Sequence, residues 1–265
     1  MKLISKHLID RIFWVSVFGV AMGVLEAIVV IYLRELYYPQ GFEFPMSAFE
    51  MHTFIVELIR EVATLIMLAA VGFLAGRTII QKSCYFLYSF AVWDIIYYLA
   101  LKIFLNWPLS LLTWDVLFLI PLPWLGPVIA PILVSLAMVY LSTNLLFLEE
   151  YSGGVRVKTT EWLLIIVGAG FVFISFIWNY SMLLIRAGFG TRFWNPVENQ
   201  HFLNMAFSHR PEIFNWPVFL LGLVSVLLGS TLIFVRLHPL IRDPDDFLRN
   251  LQQDVRSYLS KILPV

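Results

Sequence analysis

The sequence has little cysteine, little charge and no net charge. Cys84 is the only cysteine, which excludes a disulfide framework and zinc or iron–sulfur sites built from cysteines. Only 14% of the residues are charged, whereas soluble domains contain about 25%. The 18 basic and 18 acidic residues balance, so net charge does not draw the chain to a polyanion. These deficits argue against a soluble enzyme, a disordered chain and a nucleic-acid-binding domain.

Several motifs are also missing. The sequence contains no G-x-S-x-G, no P-loop and no G-x-G-x-x-G. It has five histidines and no His-x-x-x-His pair, and its one Glu-x-x-His pair, Glu198 with His201, lies outside the apolar stretches. We therefore predict no metal site, although a group of buried acids could hold a hard divalent cation. The sequence leaves the cofactor unknown.

Apolar residues are in excess. They make up 60% of the chain, and the mean hydropathy is +0.82. A spanning helix needs about 20 mostly apolar residues, and six stretches meet that length: 12–33, 52–76, 84–106, 124–148, 162–185 and 216–235. We therefore predict an all-α, polytopic membrane protein with a six-helix transmembrane bundle. The run at 110–122 is too short to span and contains Asp115 and Pro121, so we predict a re-entrant segment there.

The sequence divides into a transmembrane domain, 1–236, and a tail, 237–265. Asp243 and Pro244 form a helix start, and the apolar residues that follow recur at helical spacing. We predict an amphipathic helix that lies on the membrane surface or packs on a partner subunit. The first apolar stretch is too long for a signal peptide and lacks a cleavage site, so we predict a retained helix.

Basic residues set the predicted orientation. With the N-terminus inside, 12 lysines and arginines fall in the inner segments and 5 in the outer segments. The positive-inside rule then places both termini in the cytoplasm, in a cell (inner) membrane. The predicted outer connections are long and rich in aromatic residues, above all 187–215. They would form an interfacial belt, a cap over the bundle or a docking surface.

Small residues form stripes on several predicted helices. Gly19 and Gly23 are four residues apart in the first stretch, a spacing that permits close backbone approach. Gly222, Ser225 and Gly229 share one face of the last stretch. For the last stretch we predict helix packing rather than a binding role.

Ionisable residues inside the apolar stretches give the strongest functional signal, because a charge near the bilayer centre is costly and usually has a partner. Glu57, Arg60 and Glu61 lie at i, i+3 and i+4 and so share one helix face. Glu26 in the first stretch lies at a matching depth, about 8–14 Å from the outer boundary. We predict that these four residues, with Asp94 of the third stretch, form a catalytic group.

Polar residues on neighbouring faces extend this group. Tyr97, Tyr98 and Lys102 follow Asp94 at helical spacing, and Asn179 lies on a polar stripe of the fifth stretch. Asp115 joins the acids if the 110–122 segment enters the membrane. The predicted substrate-binding residues are Tyr97, Tyr98, Lys102, Asp115 and Asn179.

Two interpretations of the charges remain open. In one, Arg60 pairs with Glu57 or Glu61, Asp94 pairs with Lys102 or a tyrosine, and the pairs only fix helix register. In the other, four acids against two bases leave a formal charge of −2, which a proton, a metal ion, a cationic ligand or an arginine such as Arg34 or Arg186 must offset. A carboxylic acid beside a carboxylate is the minimum equipment for acid–base chemistry.

Three functions follow from these patterns. The first is an intramembrane enzyme acting on a lipophilic substrate such as a lipid, an isoprenoid or a quinone. The second is a non-catalytic subunit of a larger membrane complex, and the third is a proton- or cation-coupled carrier. The expected partners are membrane lipids, a lipophilic small molecule or other membrane subunits, and no nucleic acid.

Overall fold

The computed structural model describes residues 6–45, 51–152, 154–186 and 213–237, together with the isolated positions His209, Pro211, Gln252 and Arg256. This part of the chain forms long helices and one hairpin. In chain order they are α1 (Lys6–Tyr37), α2 (Met51–Ala75), α3 (Ile79–Leu105), β1 (Trp114–Phe118), β2 (Trp124–Pro127), α4 (Ile129–Ser152), α5 (Thr159–Arg186) and α6 (Trp216–Leu237).

Five of these helices are long and apolar enough to cross a membrane, namely α1, α3, α4, α5 and α6. The prediction of a mostly helical, multi-pass membrane protein is therefore confirmed in its coarse form. α2 is also long, and its first half carries the charged residues Glu57, Arg60 and Glu61. Most of the predicted tail, 237–265, and most of the aromatic connection, 187–215, lie outside the described residues.

α3 is the central helix of the first half of the bundle. It packs against α1, α2 and α4, while α5 pairs with α6 and α6 also contacts α4. Thr78 caps its N-terminus by accepting a hydrogen bond from the backbone N–H of Gln81, and Asn106 ends it in the left-handed conformation. A side chain at Gly23 of α1 would meet the carbonyl oxygen of Trp93 at 2.6 Å, so α1 and α3 cross in close contact, as the Gly19–Gly23 spacing predicts.

A β-hairpin joins α3 to α4, and it departs from the helical prediction. β1 and β2 pair antiparallel, with Asp115 opposite Gly126 and Val116 opposite Leu125. The predicted span 124–148 therefore starts too early, because Trp124–Pro127 is strand and α4 begins at Ile129. The reason is backbone pairing: Pro121 and Pro123 bar a regular helix, and the strands satisfy the freed polar groups between themselves.

The two ends of the bundle differ. At the hairpin end, α1, α3 and α5 finish while α2, α4 and α6 begin, and the hairpin lies there. At the opposite end a buried cluster of apolar residues fills the space between the helices, including Leu8, Val15, Leu145 and Leu148. The charged residues Glu26 and Arg34 of α1 and Glu57, Arg60 and Glu61 of α2 lie toward the hairpin end.

Candidate functional site

Arg60 of α2 joins carboxylates of two helices. Its guanidinium is ion-paired with Glu26 of α1 and with Glu57 of α2, the latter at 2.7 Å. Thr64 donates a further hydrogen bond to Glu26 at 3.4 Å. The contact between Glu26 and Arg60 agrees with the matching depths predicted from sequence, and the Arg60–Glu57 pair is one of the predicted pairings.

Glu61 connects α2 to the hairpin. Both of its carboxylate oxygens accept the backbone N–H of Leu119, each at 3.0 Å. Glu61 is 7% exposed, and among the described residues it forms no ion pair. A buried carboxyl thus meets an amide in the turn of the hairpin rather than a cation.

Arg34, at the end of α1, binds Asp115 of β1. Arg34 Nη2 and Asp115 Oδ1 are 3.1 Å apart, and Tyr98 donates to Asp115 Oδ2 at 3.2 Å. The guanidinium carbon of Arg34 lies 3.7 Å from the ring centre of Trp107 and 4.6 Å from that of Phe42. Asp115 lies outside the spanning helices, where burial raises the pKa of its carboxyl to about 6 and Arg34 acts in the opposite direction.

We call the six residues Glu26, Arg34, Glu57, Arg60, Glu61 and Asp115 the hairpin-end cluster. All but Glu26 line one small cavity of about 100 Å³, here called the acid cavity. Tyr97 also faces it, and the rest of its wall is mostly apolar. The apolar and aromatic lining residues are Val30, Leu33, Tyr38, Phe42, Val116 and Leu119. The cavity therefore combines an ionic wall with a wall suited to hydrocarbon.

The cluster carries an imbalance of charge. Its four carboxyls stand against two guanidinium groups, which leaves a formal charge of −2 when all are ionised. Buried charge without a partner is costly, so this arrangement favours a bound proton or a cationic ligand. Among the described residues no group of three or more His, Cys, Asp or Glu side chains is arranged to hold a metal ion.

Three predicted residues lie away from the acid cavity. Asp94 accepts a hydrogen bond from Ser135 of α4 at 2.7 Å. Lys102 donates to the carbonyls of Asn106 and Pro108 at the end of α3, so the predicted Asp94–Lys102 pair does not form. Asn179 donates to the carbonyl of Ile213, beside a separate surface cleft. The physical reason is local: Lys102 lies near the free carbonyls at the C-terminus of its own helix, which attract a cation.

The structure adds Arg34 to the predicted site. Sequence reasoning named it as one of two arginines that could offset the acids, but not as a binding residue. Its position directly after the first apolar stretch, 12–33, was the available signal in the sequence. Tyr97 lines the acid cavity, and Tyr98 binds Asp115, so both predicted tyrosines lie at or next to the site.

Comparison with known proteins identifies no relative: no family model matches the sequence, and no curated protein or solved structure matches it significantly.

Proposed function

We propose that the chain crosses a cell membrane six times, with α2 as the sixth spanning helix. Both termini are then cytoplasmic and the hairpin end faces outward. The distribution of basic residues supports this orientation, because those of the described connections and helix ends are concentrated at the end opposite the hairpin. These residues are Lys6, Arg11, Arg77, Lys82, Arg156, Lys158 and Arg236, against Arg34, Lys102 and Arg186 at the hairpin end.

We propose further that the protein is an intramembrane enzyme acting on a lipophilic substrate that enters from the outer leaflet. The observation that carries this proposal is the acid cavity, where three carboxyls and two guanidinium groups face aliphatic and aromatic side chains. Such a lining suits a molecule with a polar head and a hydrocarbon body. It suits a hydrophilic solute poorly.

The contacts suggest a division of roles within the cavity. Arg60 holds Glu57 in an ion pair, whereas Glu61 has no cation partner among the described residues. We assign proton transfer to Glu61 and an electrostatic role to the Glu57–Arg60–Glu26 group. Arg34 and Arg60 stabilise a polar head or a developing negative charge in the substrate. Asp94 and Lys102 have no direct part in this scheme.

The test is turnover of lipid. The purified full-length chain is incubated with a total membrane lipid extract, and lipid species are quantified by mass spectrometry over time. We expect one species to be consumed and a product to appear. Glu61→Gln should lower the rate at least about 100-fold, the usual contribution of a general acid or base, because the amide cannot transfer the proton but can still accept the N–H of Leu119.

Glu150→Gln is the matched control, since it removes one carboxylate from an exposed position at the opposite end of α4. It should leave the rate unchanged. A lipid composition that stays constant in the presence of the wild-type protein would contradict the proposed enzymatic activity. Failure of the Glu61→Gln variant to accumulate in the membrane would show that the Glu61 carboxyl has a structural role.

One observation favours a second function, that of a non-catalytic subunit. Glu26 and Glu57 are paired with Arg60, and Asp115 is paired with Arg34, as expected of charges that only fix helix positions. Retention of other membrane subunits during mild purification, without lipid turnover, would support it. A carrier is less favoured, because in the described part of the chain a buried cluster of apolar side chains, including Leu8, Val15, Leu145 and Leu148, lies in the half of the bundle opposite the hairpin.

A further inference from the structure

One edge of the Arg34 guanidinium has no partner. Nη2 binds Asp115, but Nη1 is buried and has no hydrogen-bond partner in the described part of the chain. The side chain is only 9% exposed. Buried guanidinium donors normally have an acceptor, so Nη1 has the capacity to bind one further acceptor oxygen.

Arg34 lies between two spaces. It lines the acid cavity and also a surface cleft of about 590 Å³, formed by the end of α1, the connection after it and the end of α3. Tyr38 and Phe42 line both spaces as well, so the cleft and the cavity adjoin at these side chains. A ligand that contacts Arg34 can therefore extend from the cleft toward Glu57 and Glu61.

The carboxyls determine the charge of that ligand. The hairpin-end cluster has a formal charge of −2, and Glu61 has no ion pair among the described residues. A purely anionic ligand would add to this charge in a buried site. A zwitterionic ligand leaves the total charge unchanged, but it places a cation against Glu61, the carboxyl without an ion pair, and its anionic oxygen against Arg34.

We propose that the acid cavity binds the head group of a zwitterionic lipid that carries a primary ammonium, with a phosphate oxygen on Arg34 Nη1 and the ammonium on Glu61. This inference rests on the proposed function, because it names the substrate class for the same cavity. A primary ammonium is compact and has three N–H groups that can donate hydrogen bonds to carboxylate oxygens. A trimethylammonium has no N–H to donate, and the cavity volume of about 100 Å³ favours the smaller group.

The experiment is native mass spectrometry of the full-length protein in detergent, titrated with three lipids of identical acyl chains. They are phosphatidylethanolamine, phosphatidylcholine and phosphatidylglycerol, and soluble phosphoethanolamine is the fourth probe. We expect phosphatidylethanolamine to bind about tenfold more tightly than the other two lipids, as one charge-assisted hydrogen bond allows. Tighter binding of the lipid than of phosphoethanolamine identifies a membrane lipid rather than a free head group as the ligand.

Two variants separate the two contacts. Glu61→Gln should reduce the preference for phosphatidylethanolamine over phosphatidylcholine to within about twofold, because the amide cannot offset the ammonium charge. Arg34→Lys keeps a cation for Asp115 but loses the free guanidinium edge. It should therefore weaken the binding of phosphatidylethanolamine and of phosphatidylcholine by a similar factor. The control Glu150→Gln should change neither the affinity for these lipids nor the preference between them.

Equal binding of phosphatidylethanolamine and phosphatidylcholine by the wild-type protein overturns the inference, even where a variant does not fold. An unchanged preference in Glu61→Gln does so too. Selective binding without any lipid turnover leaves this inference standing and removes the enzymatic proposal. Turnover of a lipid that has no amine would overturn this inference and leave the enzymatic proposal standing.

Discussion

At the scale of single residues, Arg60 is the group on which the hairpin-end cluster depends. Its side chain is 23% exposed, whereas those of Glu26 and Glu57 are 11% and 9% exposed. Both carboxylates therefore have little access to solvent and rely on one guanidinium. Removing a cation from such a group leaves uncompensated buried charge, which costs more than the intact pair contributes.

Arg60→Met should lower the free energy of unfolding by about 3 kcal/mol, because two carboxylates lose their cation. Unfolding in mixed detergent micelles, followed by circular dichroism, measures the change. The triple variant Glu26→Gln, Glu57→Gln, Arg60→Met removes the charges together and should recover most of the loss. A single variant as stable as the wild type would show that Arg60 does not compensate these acids.

At the scale of elements, α5 and α6 meet through glycine. A side chain at Gly168 would lie 2.7 Å from the carbonyl oxygen of Gly222, and one at Gly222 would lie 2.6 Å from that of Gly168. Ser225 donates to the carbonyl of Leu164 at 2.8 Å on the same face. The stripe of Gly222, Ser225 and Gly229 is thus a packing surface, as its sequence pattern predicts.

Gly168→Ala should destabilise the protein by about 1–3 kcal/mol, since a backbone carbonyl cannot move aside cheaply. Gly170 lies on the same helix, and a side chain there would meet nothing within 4 Å. Gly170→Ala is therefore the matched control and should be neutral or slightly stabilising. Thermal unfolding of both variants in one detergent compares them, and equal midpoints would contradict the close crossing.

At the scale of the whole molecule, chemical character is divided between the two ends. The hairpin end contains the acid cavity and the aromatic surroundings of Arg34. The opposite end has an apolar cluster, the buried acids Glu149 and Glu161, and most of the basic residues of the described helix ends and connections. Such a division is typical of a protein whose two ends meet different compartments.

Single cysteines test the orientation in a Cys84→Ser background. Gln40→Cys, at the hairpin end, should react with a membrane-impermeant maleimide in intact cells. Lys158→Cys, at the opposite end, should react only after permeabilisation. Both native residues are exposed, and the Cys84→Ser substitution removes the one native cysteine. Labelling in the reverse pattern would show that the hairpin end faces the cytoplasm.

The sequence by itself determined the helical architecture. Apolar runs of spanning length have few alternatives to helix in a membrane, because every backbone polar group must be satisfied within the segment. The spacing of Glu57, Arg60 and Glu61 also placed these side chains on one face, and depth alone matched them to Glu26. These features depend on local periodicity and length, which are read directly from sequence.

Only the tertiary structure decided which charges meet. Asp94 and Lys102 are two helical turns apart on one stripe, yet Asp94 binds Ser135 of α4 and Lys102 binds the end of its own helix. The 110–122 run became part of a hairpin that brings Asp115 to Arg34 and Leu119 to Glu61. The physical reason is that hydrogen bonds and ion pairs between elements depend on how helices rotate and where strands pair, and neither is encoded in the periodicity of a single segment.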